Sequence, residues 1–285
     1  MNIVVGKFAG FCGGVINSVR KTEELLDKYN SLYCFGELVH NKQVVDKLEA
    51  KGLAVVNSID EVPDGSKLII RAHGIVKDVY DEAFRKNIEL FDLTCPNVLI
   101  IHDKAKKLVD ENYYIVLIAK KDHPEAIGTI SFCGKDSIIL EDNNEIDFVI
   151  DKVLTANKKK IAIISQTTFS MKKFESLSLE LKDRLGDYEV FIDNTICSAT
   201  ELRQKETDKL SGEVEAMIII GGKNSSNTKK LFEIANKKCN RAFIVETVKD
   251  LNDDIRHFTS VGIMAGASTP KESIDEVVKY LESLN

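Results

Sequence analysis

Short apolar runs alternate with stretches of helical periodicity along most of the chain. Strand-like runs at 31–35, 67–71, 114–119, 160–165, 216–220 and 261–265 are followed by amphipathic stretches at 43–51, 76–86, the segment after Pro124, 171–185, 228–237 and 270–283. Short apolar runs bounded by turn residues read as buried strands, and apolar positions three and four apart read as one face of a helix. Their alternation predicts parallel sheets joined by crossover helices, an α/β protein.

One local pattern occurs three times. Phe91-Asp92-Leu93-Thr94 leads into Cys95-Pro96-Asn97 and a predicted helix over 97–109, with Val98, Ile101, Ala105 and Leu108 on one face. Proline suits the first helical position, where its missing N–H would have had no partner. Ile3-Val4-Val5 leads to Gly10-Phe11-Cys12-Gly13-Gly14 and a helix over 15–29. Val190-Phe191-Ile192 leads to Asn194-Thr195-Ile196-Cys197-Ser198 and a helix over 199–210. Each cysteine is expected between a strand and a helix N-terminus, where backbone N–H groups and the helix dipole favour a thiolate. The spacings of 83 and 102 residues are each about one small domain. Three parts closing on a shared centre are therefore expected. Their soft boundaries are 13–95, 96–193 and 194–285, with residues 1–12 linking to the centre and the first strand crossing to another unit.

Composition narrows the class. Hydrophobic residues make up 44% and charged residues 29% of the 285, the balance of an ordinary globular protein. A net charge of −6 argues against a nucleic-acid binder that relies on a basic surface. No apolar run approaches the roughly 20 residues that cross a bilayer, and a strand begins too early to leave room for a signal peptide. Six cysteines without a secretory signal then point to a reducing cytoplasm, where metal or catalytic roles outrank disulfides. A cytoplasmic protein with no nucleic-acid or membrane partner is expected.

Ligands of open α/β sheets sit beyond the carboxyl ends of the strands, over helix N-termini. Here those ends read Val39-His40-Asn41, Arg71-Ala72-His73-Gly74, His123-Pro124-Glu125 and Gln166-Thr167-Thr168. Two more read Gly221-Gly222-Lys223-Asn224-Ser225-Ser226-Asn227 and Ala265-Gly266-Ala267-Ser268. The glycine-rich stretch is not a Walker A loop, yet its glycines, serines and asparagine are the chemistry of an anion site. With Ser268 and the three histidines it makes a polar ring suited to a phosphate or diphosphate, protonation strengthening the histidine donors. Glu125 is the candidate proton donor: an anionic substrate beside it would disfavour its charged form and raise its pKa. Thr167 would hold or relay that proton. His102 and His257 lack such a setting and read as structural or surface residues, and Cys34, Cys133 and Cys239 as small buried hydrophobes.

If Cys12, Cys95 and Cys197 are ligands, the metal is zinc or iron–sulfur. Structural zinc favours closely spaced cysteine pairs, whereas an all-thiolate set of widely separated donors suits a cluster better. Three cysteines on a cubane leave one iron open, a Lewis acid toward a substrate oxygen. On residues alone a non-redox hydro-lyase, a redox sensor and a zinc module stay open beside a reductase.

Taken in order, the motifs resemble the LytB-type 4-hydroxy-3-methylbut-2-enyl diphosphate reductases. The matches are Gly10-Phe11-Cys12-x-Gly14-Val15, Arg71-Ala72-His73-Gly74, Asp92-x-Thr94-Cys95-Pro96-x-Val98, His123-Pro124-Glu125 and Gln166-Thr167-Thr168. They continue with Asn194-Thr195-Ile196-Cys197-x-Ala199-Thr200, Lys223-Asn224-Ser225-Ser226-Asn227 and Ala265-Gly266-Ala267-Ser268. The resemblance implies three small parallel-sheet domains in a pseudo-threefold cloverleaf around a 4Fe–4S cluster held by Cys12, Cys95 and Cys197, one iron open. It implies reductive removal of an allylic hydroxyl, giving isopentenyl and dimethylallyl diphosphates, in the last step of the non-mevalonate isoprenoid route. His40, His73, His123, Thr168, Ser225, Ser226, Asn227 and Ser268 would bind the diphosphate. Glu125 with Thr167, and His123 beside them, would deliver the proton that lets the hydroxyl leave as water. Ferredoxin or flavodoxin would supply electrons. Asp122, where the family commonly has glycine, and the preceding Ala119-Lys120-Lys121 are local departures, as are Asn97 and Ser198 beside two of the cysteines.

Overall fold

The computed structural model describes residues 1–239 and 241–284. From the N-terminus the chain forms β1 (Asn2–Val5), α1 (Gly13–Lys28), β2 (Leu32–Phe35), α2 (Lys42–Ala50), β3 (Leu53–Val56), β4 (Lys67–Ile70), α3 (Lys77–Arg85) and β5 (Glu89–Asp92). It continues through α4 (Pro96–Asp110), β6 (Tyr113–Ile118), α5 (Pro124–Ser131), β7 (Ser137–Leu140), α6 (Ile146–Thr155), β8 (Lys160–Ser165), α7 (Met171–Arg184) and β9 (Glu189–Ile192). The remainder is α8 (Ser198–Leu210), β10 (Ala216–Ile220), α9 (Ser226–Lys238), β11 (Arg241–Val245), β12 (Ser260–Ala265) and α10 (Lys271–Glu282).

The strands make three four-stranded parallel sheets, in the orders β3-β2-β4-β5, β7-β6-β8-β9 and β1-β12-β10-β11. The expected α/β class with three small parallel sheets is borne out. By contacts the chain divides into two compact units. One comprises Met1–Asn17, Val39–Leu48 and the residues from 198 onward, and holds the third sheet; the other comprises Ser18–Leu38 and Glu49–Cys197, and holds the first two. As expected, β1 crosses to pair with the distant β12, Asn2 beside Ser260 through Val5 beside Ile263.

The inner strands are buried on both faces except β2, where Tyr33 and Phe35 are only half-buried. All six residues of β6 and all five of β10 are buried, which is why they read as unbroken apolar runs. Each fully buried Ile or Leu contributes about 1.5–3 kcal/mol. The cysteine-preceding strands β1, β5 and β9 sit at sheet edges and stay partly exposed. Opposite them lie β3, β7 and β11, short edge strands that the hydrophobic pattern alone does not announce.

All three sheets share one connectivity. Of the two inner strands, one leads outward through a helix to the far edge: β2 to β3, β6 to β7 and β10 to β11. Its inner neighbour leads away in the other direction: β4 and β8 through α3 and α7 to the cysteine-side edge, and β12 into α10. Each sheet therefore has a switch point between its inner strands, where the two following loops part and leave a crevice.

Candidate active site

The switch points collect the candidate residues. In the first sheet they are bordered by the loops that run to His40 and through His73, and in the second by the loops of His123 and of Gln166-Thr167-Thr168. In the third they are bordered by residues 221–227 and by the turn that carries Ser268. Topology, not proximity in sequence, selects these loops.

In the unit that holds the first two sheets, Glu125 is 2% exposed at the second residue of α5. Its two oxygens accept from one residue: the Thr167 backbone N–H reaches Oε1 at 2.6 Å, and the Thr167 hydroxyl reaches Oε2 at 2.6 Å. Burial pushes the carboxyl up to about 7, against the two Thr167 bonds, which hold it down. The rise thus has a cause besides the expected neighbouring anion: desolvation alone brings the carboxyl into the neutral range. His123 caps α5, its Nδ1 accepting from the Glu125 N–H at 3.2 Å. That bond assigns the neutral ring its proton on Nε2. Protonating Nδ1 would break this cap. The His73 ring meets the His123 ring edge-on, centroids 5.5 Å apart. Gln166, whose role the sequence leaves unassigned, donates Nε2 to the Thr168 hydroxyl at 2.8 Å and accepts the Lys120 N–H at 3.0 Å. It joins the two loops of its switch point.

In the other unit, Ser225 caps α9 by accepting the Thr228 N–H at 3.3 Å. Ser226 opens the helix, and Asn227 is 3% exposed beside it. Both amide atoms of the Asn227 side chain are buried and lack a hydrogen-bond partner among the described residues. Ser268 donates to the His40 carbonyl at 3.1 Å. That carbonyl lies only 2.5 Å from where a Cβ on Gly222 would stand, so glycine is needed for the approach. A buried amide without a partner at a helix N-terminus marks a place for a polar ligand, and an anion is the ligand such a terminus favours.

The three repeated cysteines are half-buried, and none of the six cysteines forms a disulfide. Cys95 is the N-cap of α4, with Pro96 at its first position, and Cys12 and Cys197 immediately precede α1 and α8. Their backbone N–H groups follow one rule. Cys95 donates to the carbonyl of Ala72 at 2.9 Å, Cys197 to Thr167 at 3.1 Å and Cys12 to Ala267 at 3.1 Å. Each acceptor is the residue just before a candidate ligand-binding residue, His73, Thr168 and Ser268 respectively. Asn97 Nδ2 lies 4.0 Å from Cys95 Sγ. Three thiols in equivalent backbone settings at helix N-termini fit an all-thiolate metal group. Cys34, Cys133 and Cys239 are buried, with burial pushing the first two thiols up to about 12. His102 is buried and His257 exposed, as expected.

An α/β protein with three switch-point crevices, a buried acid near neutral pKa and three equivalent cysteine loops has the parts of a metal-dependent enzyme that handles an anion. The model of the LytB protein family matches residues 3–282. The chain is 38% identical over 291 residues to the 4-hydroxy-3-methylbut-2-enyl diphosphate reductase of Clostridioides difficile (strain 630), covering all of both chains. The solved E-1-hydroxy-2-methyl-but-2-enyl-4-diphosphate reductase from Plasmodium falciparum superimposes with a TM-score of 0.92 at 31% identity, over 98% of this chain and 87% of that one. A second solved structure, of (E)-4-hydroxy-3-methyl-but-2-enyl diphosphate reductase, the terminal enzyme of the non-mevalonate pathway, gives 0.70 at 34% identity over 99% of this chain and all of that one. The chain belongs to the LytB family, and it is an enzyme of the oxidoreductase class. Among the described residues no helix is long and apolar enough to cross a membrane.

Proposed function

We propose that this enzyme reduces 4-hydroxy-3-methylbut-2-enyl diphosphate to isopentenyl and dimethylallyl diphosphates, with Cys12, Cys95 and Cys197 as the cysteine ligands of a 4Fe–4S cluster whose fourth iron has none. On this reading residues 13–95, 96–193 and 194–285 are three domains around that cluster, and residues 1–12 link to the centre. When bound, the cluster supplies electrons and a Lewis acid for the departing hydroxyl. The reaction takes two electrons and two protons, breaks the allylic C–O bond, forms one C–H bond and releases water. The electrons come from an external low-potential carrier, a ferredoxin or flavodoxin, in a cytoplasmic setting.

The protein's own part is binding and proton delivery. Asn227, with Ser225 and Ser226, offers donors to the diphosphate, Ser268 joins them by turning its hydroxyl from the His40 carbonyl, and the His123 Nε2–H adds another. His40, His73 and Thr168 complete the set. The observation that carries the reading is the Glu125–Thr167 pair: a fully buried carboxyl with a pKa of about 7, held at both oxygens. When Glu125 is protonated on Oε2, that O–H donates to Thr167 Oγ1 and the threonine's own hydrogen turns outward. A proton then passes to the leaving hydroxyl in two short steps.

Protein prepared without oxygen and given a reduced low-potential dye should convert the hydroxylated diphosphate to both products. Glu125→Gln should lower kcat by about 10²- to 10⁴-fold. Turnover with the dye omitted would instead identify a hydro-lyase.

A further inference from the structure

Each of the three cysteine-led helices sends a polar side chain to the loop that leads to another of the cysteines. Ser18, six residues after Cys12 on α1, is buried and donates its hydroxyl to the carbonyl of Leu93 at 3.0 Å. Leu93 stands two residues before Cys95. Arg203, six residues after Cys197 on α8, is buried and donates Nη2 to the carbonyl of Gly10 at 2.5 Å. Gly10 stands two residues before Cys12. The same guanidinium reaches back to the carbonyl of Ala199 at 2.7 Å, so its plane is fixed at both ends. The offsets are the same in both cases: six residues past one cysteine, two before the next.

A second contact lies one turn further along the same helix face, three residues on. Glu206, nine residues after Cys197, accepts the backbone N–H groups of Lys7 and Phe8 at 2.8 Å each, and Phe8 is four residues before Cys12. Lys104, nine residues after Cys95 on α4, pairs with Asp193, which is four residues before Cys197. On α4 the sixth position after the cysteine is Ile101, a buried apolar residue, so only the outer contact is polar there. The helices therefore use two shared offsets in different combinations: α1 the inner, α4 the outer, α8 both. Every one of these bonds lies within a single compact unit.

The direction is cyclic. The helix begun by Cys12 holds the approach to Cys95, the helix begun by Cys95 holds the approach to Cys197, and the helix begun by Cys197 holds the approach to Cys12. Apolar packing alone would seat these helices, but it would not fix a loop by its backbone carbonyls and N–H groups. Charge-assisted bonds to such groups are short and directional. Groups around the ligands of a metal centre orient them, and their loss commonly costs about 10- to 100-fold in affinity.

We propose that Ser18, Lys104, Arg203 and Glu206 are positioning residues that hold the three cysteines as one cyclic set, each fixing the cysteine after its own. The proposal rests on reading the three thiols as cluster ligands. Cys12 depends on it most. Its approach, residues 6–11, is neither helix nor strand, includes Gly10 at φ +94°, and is the one held at both offsets.

The test is pulsed alkylation of the reduced, iron-free full chain with iodoacetamide, each cysteine's rate read by mass spectrometry. Ser18→Ala should speed Cys95 alone, by about threefold to tenfold. Lys104→Met should speed Cys197, and Arg203→Met should speed Cys12 by about tenfold or more, with Arg203→Lys restoring part of the protection. Cys34, Cys133 and Cys239 should keep wild-type rates and serve as internal references for global unfolding. Equal acceleration of all six, acceleration of the cysteine on the substituted residue's own helix, or no change would each overturn the proposal. If Arg203→Met does not fold, Glu206→Gln, which keeps the side-chain shape at a half-buried position, reads the same Cys12 loop. Iron and sulfide counts on anaerobically reconstituted wild type test the underlying reading separately: a wild type that binds no iron removes the cluster, whereas the labelling pattern alone decides the cyclic hold.

Discussion

Thr167 grips Glu125 at both carboxyl oxygens, its backbone N–H on Oε1 and its hydroxyl on Oε2, each at 2.6 Å. The same residue's carbonyl accepts the N–H of Cys197 at 3.1 Å. One threonine thus joins the buried acid to a cysteine loop through three of its polar groups. On its other side, the backbone of Glu125 is held by α5 and the His123 cap.

The hydroxyl and the N–H of Thr167 can be separated by substitution. Thr167→Val keeps the backbone bond to Oε1 and removes the bond to Oε2, one of the two contacts that hold the Glu125 pKa down. The high-pH limb of the pH–rate profile, where Glu125 loses the proton it donates, should then move upward, and kcat should fall by about tenfold to a hundredfold. Thr167→Ser should restore both. An unchanged profile in Thr167→Val would show that the hydroxyl plays no part in the titration.

Two buried groups pull stability in opposite directions over nearly the same pH range. Glu125 rises from 4.5 to about 7 through burial. Between those values the folded chain holds a proton that the unfolded chain has released, so stability falls as pH rises. His102 drops from 6.5 to about 4, first through burial and then through Lys106, while packing against the Phe132 ring at 4.7 Å. Between those values the unfolded chain holds the extra proton, so stability rises with pH. Each effect is about 3 kcal/mol. They should nearly cancel in the wild type between pH 4.5 and 6.5. Urea unfolding should reveal them singly: Glu125→Gln should grow more stable with pH across this range, and His102→Leu less stable.

The legible parts of the sequence were those set by local chemistry. Buried inner strands announce themselves as unbroken apolar runs, as in residues 113–118 and 216–220, and Pro96 marks the start of α4. The threefold cysteine repeat placed each thiol at a strand-to-helix junction. The outer edge strands are not legible, because four or five residues carry too little periodicity and edge positions need not be apolar on both faces. Strand order was hidden too, and with it the switch points that explain why these particular loops carry the site. Arg203 and Glu206 resemble a solvated helix face in sequence; only the fold reveals that they reach residues 7–10. The rise of the Glu125 pKa through burial is not legible in sequence, since burial is a tertiary property.

The approach of Gly222 to the His40 carbonyl gives a steric test of the anion site. A methyl group there would stand 2.5 Å from a backbone oxygen that already accepts from Ser268. The His40 loop must move to admit it. Displacements near an ångström cost up to about 10²-fold in a positioned site. Gly222→Ala should raise the KM for the diphosphate substrate and the inhibition constant of inorganic pyrophosphate by about tenfold or more, and the clash with backbone should lower the melting temperature as well. Wild-type constants would remove the His40 loop from the site.

Asn227 offers the sharpest separation of stability from binding. Its amide is buried among α9 and its neighbours with neither nitrogen nor oxygen partnered among the described residues. Leaving such a group unsatisfied costs about 1–3 kcal/mol, whereas an apolar group of the same shape has no such penalty. Leucine has the same branched outline. Asn227→Leu should therefore raise the melting temperature of the ligand-free chain, by about 2 °C for each kcal/mol recovered. Pyrophosphate should raise the wild-type melting temperature through preferential binding to the folded state, and should leave the variant unmoved. A stabilised variant that still responds to pyrophosphate would mean that the amide faces no anion. A destabilised variant would mean that the side chain is satisfied in solution by water, which a ligand would have to displace.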